Sequence, residues 1–491
     1  MINTNIKKNT IYSIIKTGAS IIFPLITFPY ISRVLLTENV GKVNFGLSIV
    51  SYFSLMASLG ITTYAIRECS AVRDDKERLS NTASQIWSIN IITTVVSYIV
   101  LAITLIFANK LANYRVLIII QSLSIVATTL GADWLNSAME DFKFITLRTV
   151  FFQVISLLLM FLFVHQPKDY MKYALISLVS SAGANVINIW YRRRYCKVRF
   201  TLDINWRHHM SPILYLFVML LAQTVFNSID STMLGFMHGD YEVGIYSAAH
   251  KIVNIINQLV GALLWVIMPR MAYLFAERNY DGINKMLRKV LGFNMLLGLP
   301  CAVGCCTISE DIIRVVAGKS YMEAVPVLRI LLIGFVFSLV GGNFLGNAIL
   351  LPSKQEKYYM VVCCITAIVN IIGNSIFIPL FGAQAAAGTT AVCSLTILVL
   401  LLPKVDNNVK IDGIGKIIIS PIIGCFGIIV ACLLAKVVNN IWLRVALSLF
   451  SSIGIYGFIL VLMKNELVDE LLVGLKNRYK KVGHDREVEN S

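Results

Sequence analysis

Apolar residues run in blocks of about twenty, separated by short polar connections, from Ile11 almost to the end of the chain. As an α-helix, each block is long enough to cross about 30 Å of hydrocarbon. The pattern predicts about fourteen spans, among them Ile11–Leu36, Asn44–Ile66, Thr149–Val164, Pro212–Phe236, Gly244–Pro269 and Tyr359–Pro379. No long soluble domain interrupts them. The expected fold class is therefore an all-α polytopic membrane protein. The first block follows Lys7 and Lys8, but it exceeds a signal-peptide core and lacks a small-residue cleavage site, so it reads as a retained span.

Charge placement sets the expected orientation. Alternate connections, counted with both ends of the chain, hold thirty of the 43 Lys and Arg residues. The opposite set holds ten, and Lys16, Lys251 and Arg329 fall inside spans. A bias of this size places both termini in the cytoplasm of a bacterial inner membrane and favours an even number of spans.

A faint repeat divides the chain. Val40-Gly41 opens the second span and Arg67 closes it; Val243-Gly244 opens the eighth and Arg270 closes it, at the same spacing of 26 residues. The expected organisation is a six-helix lobe over residues 1–190, a basic linker over 191–211 and a second six-helix lobe over 212–403. Two further helices over 404–463 and a cytoplasmic tail over 464–491 follow. Two such halves suit alternating access at a central cleft.

Composition excludes other classes. Only 14% of the residues are charged, and mean hydropathy is +0.73. The net charge of +16 sits in short loops rather than in an interleaved basic and aromatic patch, so no nucleic-acid partner is expected. The ten cysteines form neither a disulfide framework nor a zinc spacing, so no metal and no cofactor is expected. Gly318-Lys319-Ser320 resembles the end of a phosphate-binding loop, but Ile313 stands where that loop needs glycine. Neither a nucleophile elbow nor a long outward loop bearing paired carboxylates appears, so no catalysis is expected.

Polar residues at span depth are the candidate site, because a charge in hydrocarbon costs several kcal/mol unless it meets water or a partner. Asp230 and Lys251 are nearly equidistant from the Gly239-Asp240 turn, at matching depth on consecutive spans. Gln223, Asn227 and Asp230 share one helical face, as do Ser247, Lys251, Asn254 and Gln258. One reading is the wall of a hydrated cavity, with Lys251 as an anion contact and Asp230 as its partner or a titratable coupling group. The other is a structural ion pair. The first span adds Lys16 and Arg33 around Pro24 and Pro29, and the eleventh adds Asn370 and Asn374. His208 and His209 read as solvated loop residues, and Arg192-Arg193-Arg194 as surface anchors for anionic headgroups.

Several strings resemble the Wzx-type polysaccharide flippases of the multidrug/oligosaccharidyl-lipid/polysaccharide exporter superfamily. They are Phe28-Pro-Tyr-Ile-Ser-Arg-Val-Leu35, Gly41-Lys-Val-Asn-Phe45, Tyr64-Ala-Ile-Arg-Glu68 and Glu140-Asp-Phe-Lys143 in the first half. In the second half they are Asp230-Ser-Thr-Met-Leu-Gly235, Val243-Gly-Ile-Tyr-Ser-Ala-Ala249 with Lys251, Met268-Pro-Arg270 and Gly318-Lys-Ser-Tyr321. The resemblance covers nearly the whole chain and is weakest in the last two spans. It implies that superfamily's V-shaped two-lobe fold. It further implies translocation of undecaprenyl-diphosphate-linked oligosaccharide between leaflets for O-antigen or capsule, through a cationic cleft. Membrane lipids, a glycan polymerase and chain-length proteins are the further partners it raises. Arg33, Asp230 and Lys251 lie on matching motif positions. The competing readings are a drug/cation antiporter of the same superfamily, a membrane glycan polymerase and a non-catalytic scaffold.

Overall fold

The computed structural model describes residues 6–405, 409 and 414–470. Residues 471–491 of the expected tail, and 406–408 and 410–413 ahead of the last two helices, lie outside the described residues. All regular structure among the described residues is helical. Eleven helical segments among them are long and apolar enough to cross a membrane.

Two of these segments are too long for one crossing. Helix α1 (Ile6–Ser58) would extend about 80 Å if straight, more than twice the hydrocarbon thickness. It breaks at Leu36, whose φ of 63° and ψ of 175° lie outside helical space. Pro24 and Pro29 sit inside the first half without ending it. At Leu59 and Gly60 the chain takes two left-handed residues and restarts as α2 (Ile61–Ala71), which divides the expected span Asn44–Ile66.

Then follow α3 (Lys76–Phe107), α4 (Arg115–Gly131), the short α5 (Trp134–Ala138), α6 (Phe142–Phe163), α7 (Tyr170–Tyr191) and α8 (Trp206–Met237). Three of these starts, those of α3, α6 and α8, carry side-chain caps: Asp75 accepts from the backbone N–H groups of Glu77 and Arg78, Asp141 from Phe144, and Asn205 from His208. Helix α9 (Asp240–Ala276) is 37 residues long. Two later segments pass through π-helical stretches. Helix α10 (Tyr280–Phe293) runs through Asn294–Gly298 into α11 (Leu299–Thr307); α12 (Ser309–Val316) follows, and α13 (Ala324–Ser338) continues through Leu339–Leu350.

Helix α14 (Glu356–Leu401) is the second over-long element, and it breaks at Gly382 (φ 54°, ψ −131°), a conformation that favours glycine. The restarting helix is capped by Glu242, whose carboxylate accepts from the Ala383 N–H at 2.7 Å. Helices α15 (Ile414–Ala435) and α16 (Ile441–Leu462) complete the order. With the two broken helices counted as two crossings each, the described residues supply thirteen crossings, and the 37-residue α9 has the length for the fourteenth that the apolar pattern predicts.

Packing divides the chain into two units. The first takes Met1–Ser247, Val316–Ser320 and Ile371–Ala386; the second takes Ala248–Val315, Tyr321–Asn370 and Ala387–Ser491. In the first, α1 packs on α3, α4, α6 and α8, and α4 and α6 pack on α7. One apolar core there gathers Tyr64, Ile86, Trp134 and Leu135. In the second, α15 packs on α16 and α11.

Candidate functional site

Asp230, on α8, is 2% exposed. Its two carboxylate oxygens accept from different elements: Tyr246 Oη donates to Oδ2 at 2.5 Å, and Asn374 Nδ2 donates to Oδ1 at 2.6 Å. Asn374 and Tyr246 are themselves buried. The structure thus brings together two predicted residues, Asp230 and Asn374, and adds Tyr246. Donors from two further helices fix the carboxylate's rotamer and stand in for the water it loses on burial. Nearby, hydroxyls hold α8 against α1: Tyr52 with Thr232 at 3.1 Å, Thr232 to Ser48 at 2.9 Å, and Ser51 to Ser228 at 2.9 Å. Helical spacing within Ser48, Ser51 and Tyr52, and within Ser228 and Thr232, was the available signal for this seam.

A second polar group lies around Arg148, which its place beside the expected span Thr149–Val164 marks as a loop charge. Arg148 is instead inside α6 and 6% exposed. Its guanidinium forms an ion pair with Asp133 and donates to the Ala184 carbonyl at 3.2 Å. Asn136 donates to Asn188 at 2.7 Å, and Asn188 donates onward to the Gly131 carbonyl at 2.7 Å. The half-buried Lys16 of the first span lies within electrostatic reach of Arg148. Beside this group opens a recess of about 180 Å³ whose wall includes Ser58, Thr62, Asn90, Thr128, Asp133 and Asn185. Hydroxyls, amides and a carboxylate there offer both donors and acceptors.

The other predicted residues lie on the first span, α8, α9 and α14. Arg33 is exposed near the Leu36 break and donates to the Pro29 carbonyl at 2.5 Å. Asn227 is exposed on α8. Lys251, in the second unit, is half-buried. On its helix Asn254 and Gln258 are exposed, and Asn254 lies 3.3 Å from His250 Nδ1. Asn257, between them, accepts from Asn343 on the π-helical stretch at 3.2 Å. Asn370 is fully buried. Among the described residues no group of three His, Cys, Asp or Glu is placed to hold a metal ion.

Two loop expectations are corrected. His209 is buried rather than solvated, 2.6 Å from Tyr64 Oη and 3.0 Å from Gln85 Oε1. Arg192 is buried too, its guanidinium 4.5 Å from the centre of the Trp87 ring, so it packs rather than reaching for headgroups. The basic linker is therefore anchored to the first unit. Tyr195 and Tyr191 both donate to Asp141, at 2.7 and 2.8 Å, and burial with that bond pushes the Tyr195 hydroxyl well above its ordinary pKa, so it remains a donor.

The family model for polysaccharide biosynthesis proteins matches residues 6–275, more than half of the chain. The chain belongs to that family. The MatE family model matches residues 216–376. Among curated relatives of this family member, a putative O-antigen transporter of Escherichia coli K12 is 23% identical over 413 residues, covering 83% of this chain and 99% of its own. The capsular polysaccharide biosynthesis protein CapF of Staphylococcus aureus is 21% identical over 405 residues, covering 80% and 97%. Of solved structures, the lipid II flippase MurJ in an inward closed conformation superposes with a TM-score of 0.72 at 15% identity, over 94% of this chain and 99% of that one. The multidrug transporter DinF-BH gives 0.56 at 15%, over 83% and 96%. The fold is thus that of multi-pass membrane transporters.

Proposed function

We propose that this family member is a flippase that carries polyprenyl-diphosphate-linked oligosaccharide from the cytoplasmic to the outer leaflet of a bacterial inner membrane, with both termini cytoplasmic. The observation that carries this reading is the presence of cations at span depth, Lys16 in the first unit and Lys251 in the second, in a chain that also leaves Asn227, Asn254 and Gln258 exposed. Open amides at that depth are tolerated where they face water-filled space. A diphosphate requires cations, sugars require amide and hydroxyl partners, and the polyprenyl tail stays in the bilayer. The names of the O-antigen transporter and CapF, and the family match itself, support the same substrate class.

In this reading the lobes 1–190 and 212–403 alternate access, with 191–211 linking them. Lys251 contacts the diphosphate, Lys16 and Arg33 add positive potential, and Asn370 and Asn374 belong to the polar wall. Asp230 is the group to suspect in ion coupling, since its carboxylate is buried among donors that a proton or a cation would rearrange.

The test is leaflet transfer of a lipid-linked oligosaccharide from a matched host by the purified protein in liposomes. Protein-dependent transfer that Lys251→Ala abolishes, with normal membrane insertion, is expected. Full activity in that variant would leave Lys251 a structural role only. A drug/cation antiporter is the second reading, favoured by the MatE match over 216–376. It would be preferred if imposed sodium and proton gradients drove organic cations but no glycolipid.

A further inference from the structure

A cavity in the second unit lies away from the residues assigned to transport. It holds about 620 Å³ where the start of α15 and the end of α16 meet α10. Both α15 and α16 span the membrane, so the place where one begins and the other ends lies at the membrane–water boundary.

Its polar side is cationic. Arg288 and Lys289 lie three and four residues after Lys285, on one face of α10, and Lys464 stands just beyond α16. Two carboxylates balance part of this charge: Glu466 pairs with Arg288 at 2.6 Å and Glu470 with Lys289 at 2.7 Å. Among the described residues Lys285 and Lys464 have no ion-pair partner, so the cavity keeps an excess of two positive charges. Lys464 also occupies a left-handed position, φ 48°, at the end of its helix, where glycine or asparagine is the less strained choice.

The opposite side is apolar. Ile417, Ile419, Met463 and Leu467 line it, and Ile419 and Met463 remain open. A buried bond from Asn465 Nδ2 to Ser420 Oγ, 2.6 Å, joins the two helix ends across the cavity's wall.

We infer that this cavity is a binding site for an anionic glycerophospholipid, whose headgroup phosphate sits between Lys285 and Lys464 and whose acyl chains run along Ile419 and Met463. Cation beside open apolar wall at a membrane boundary matches an amphiphile better than a free anion, and basic pockets at helix ends recognise anionic headgroups. The inference does not depend on the flippase reading.

The test uses the full-length protein in nanodiscs, with bound lipid counted by native mass spectrometry. Wild-type protein should retain phosphatidylglycerol over phosphatidylcholine. The K285Q/K464Q variant should hold phosphatidylglycerol roughly thirtyfold more weakly, as the loss of two surface cations implies, while its unfolding temperature in phosphatidylcholine stays unchanged. A control variant, K354Q/K357Q, removes two cations elsewhere and should retain the lipid. Unaltered retention in K285Q/K464Q, or equal retention of phosphatidylcholine, would overturn the site. Displacement by millimolar inorganic phosphate would make it a free-anion site instead. Displacement by a polyprenyl diphosphate in preference to phosphatidylglycerol would make it a substrate dock. Either result would overturn the assignment to a bilayer phospholipid.

Discussion

The corner around Arg148 and the face of α9 beyond Ser247 are both polar, and they are built in opposite ways. At the corner, Asp133, Arg148, Asn136 and Asn188 bond chiefly to one another and to the backbone. On α9, Asn254 and Gln258 are left open. Buried polar groups that meet each other specify how helices pack, because breaking one strands its partner. Open ones contribute little to stability and are available for something else. Polarity at span depth is thus two signals, and burial separates them.

The contrast predicts a graded set of effects. Arg148→Ala removes a buried guanidinium from the Asp133 carboxylate, which keeps some water, and from the Ala184 carbonyl, and should cost about 2–3 kcal/mol. It should appear as a lowered unfolding temperature in detergent and a loss of folded yield. Replacing Asp133 and Arg148 together by apolar residues of similar volume should recover most of that loss; failure to do so would mean the corner is more than structural. Tyr246→Phe removes one donor from the buried Asp230 and should cost about 1–3 kcal/mol, read by the same unfolding assay. Asn254→Ala should shift stability by no more than about 0.5 kcal/mol while slowing glycolipid transfer in liposomes. A large stability loss in that variant with unchanged transfer would erase the distinction between the two regions.

The fold was largely legible in the sequence because hydrocarbon imposes one length and one composition on every crossing. The expected spans fall within the observed helices or a few residues beyond them. The break at Leu36 falls where the first expected span ends, but its tightness was less legible: nothing in the apolar run shows that a single non-helical residue joins one helix to the next. At Gly382 the residue type was a clue, but the Glu242 cap that completes the break lies 141 residues away.

The candidate site was legible as residue types on helical faces and illegible as partnerships. Asn374 reaches Asp230 across 144 residues and Asn136 reaches Asn188 across 52, separations that no periodicity reports. Arg148, Arg192 and His209 were misread for a shared reason. Each is a basic residue at the edge of a basic connection, where solvation is the ordinary outcome, and each is drawn inward by a partner from another element: Asp133, Trp87 and Tyr64.

The break at Leu36 bears on how the first unit transmits movement. A long, unanchored connection between two helices has slack, so the helices it joins are free to shift before it pulls taut. A single non-helical residue has none. Any displacement of the first span along the membrane normal is handed on, almost without loss, to the span that follows. The proline-bearing helix that holds Lys16 and Arg33 therefore does not travel alone: its stroke is shared with the helix carrying Ser48, Ser51 and Tyr52, and through those hydroxyls with α8.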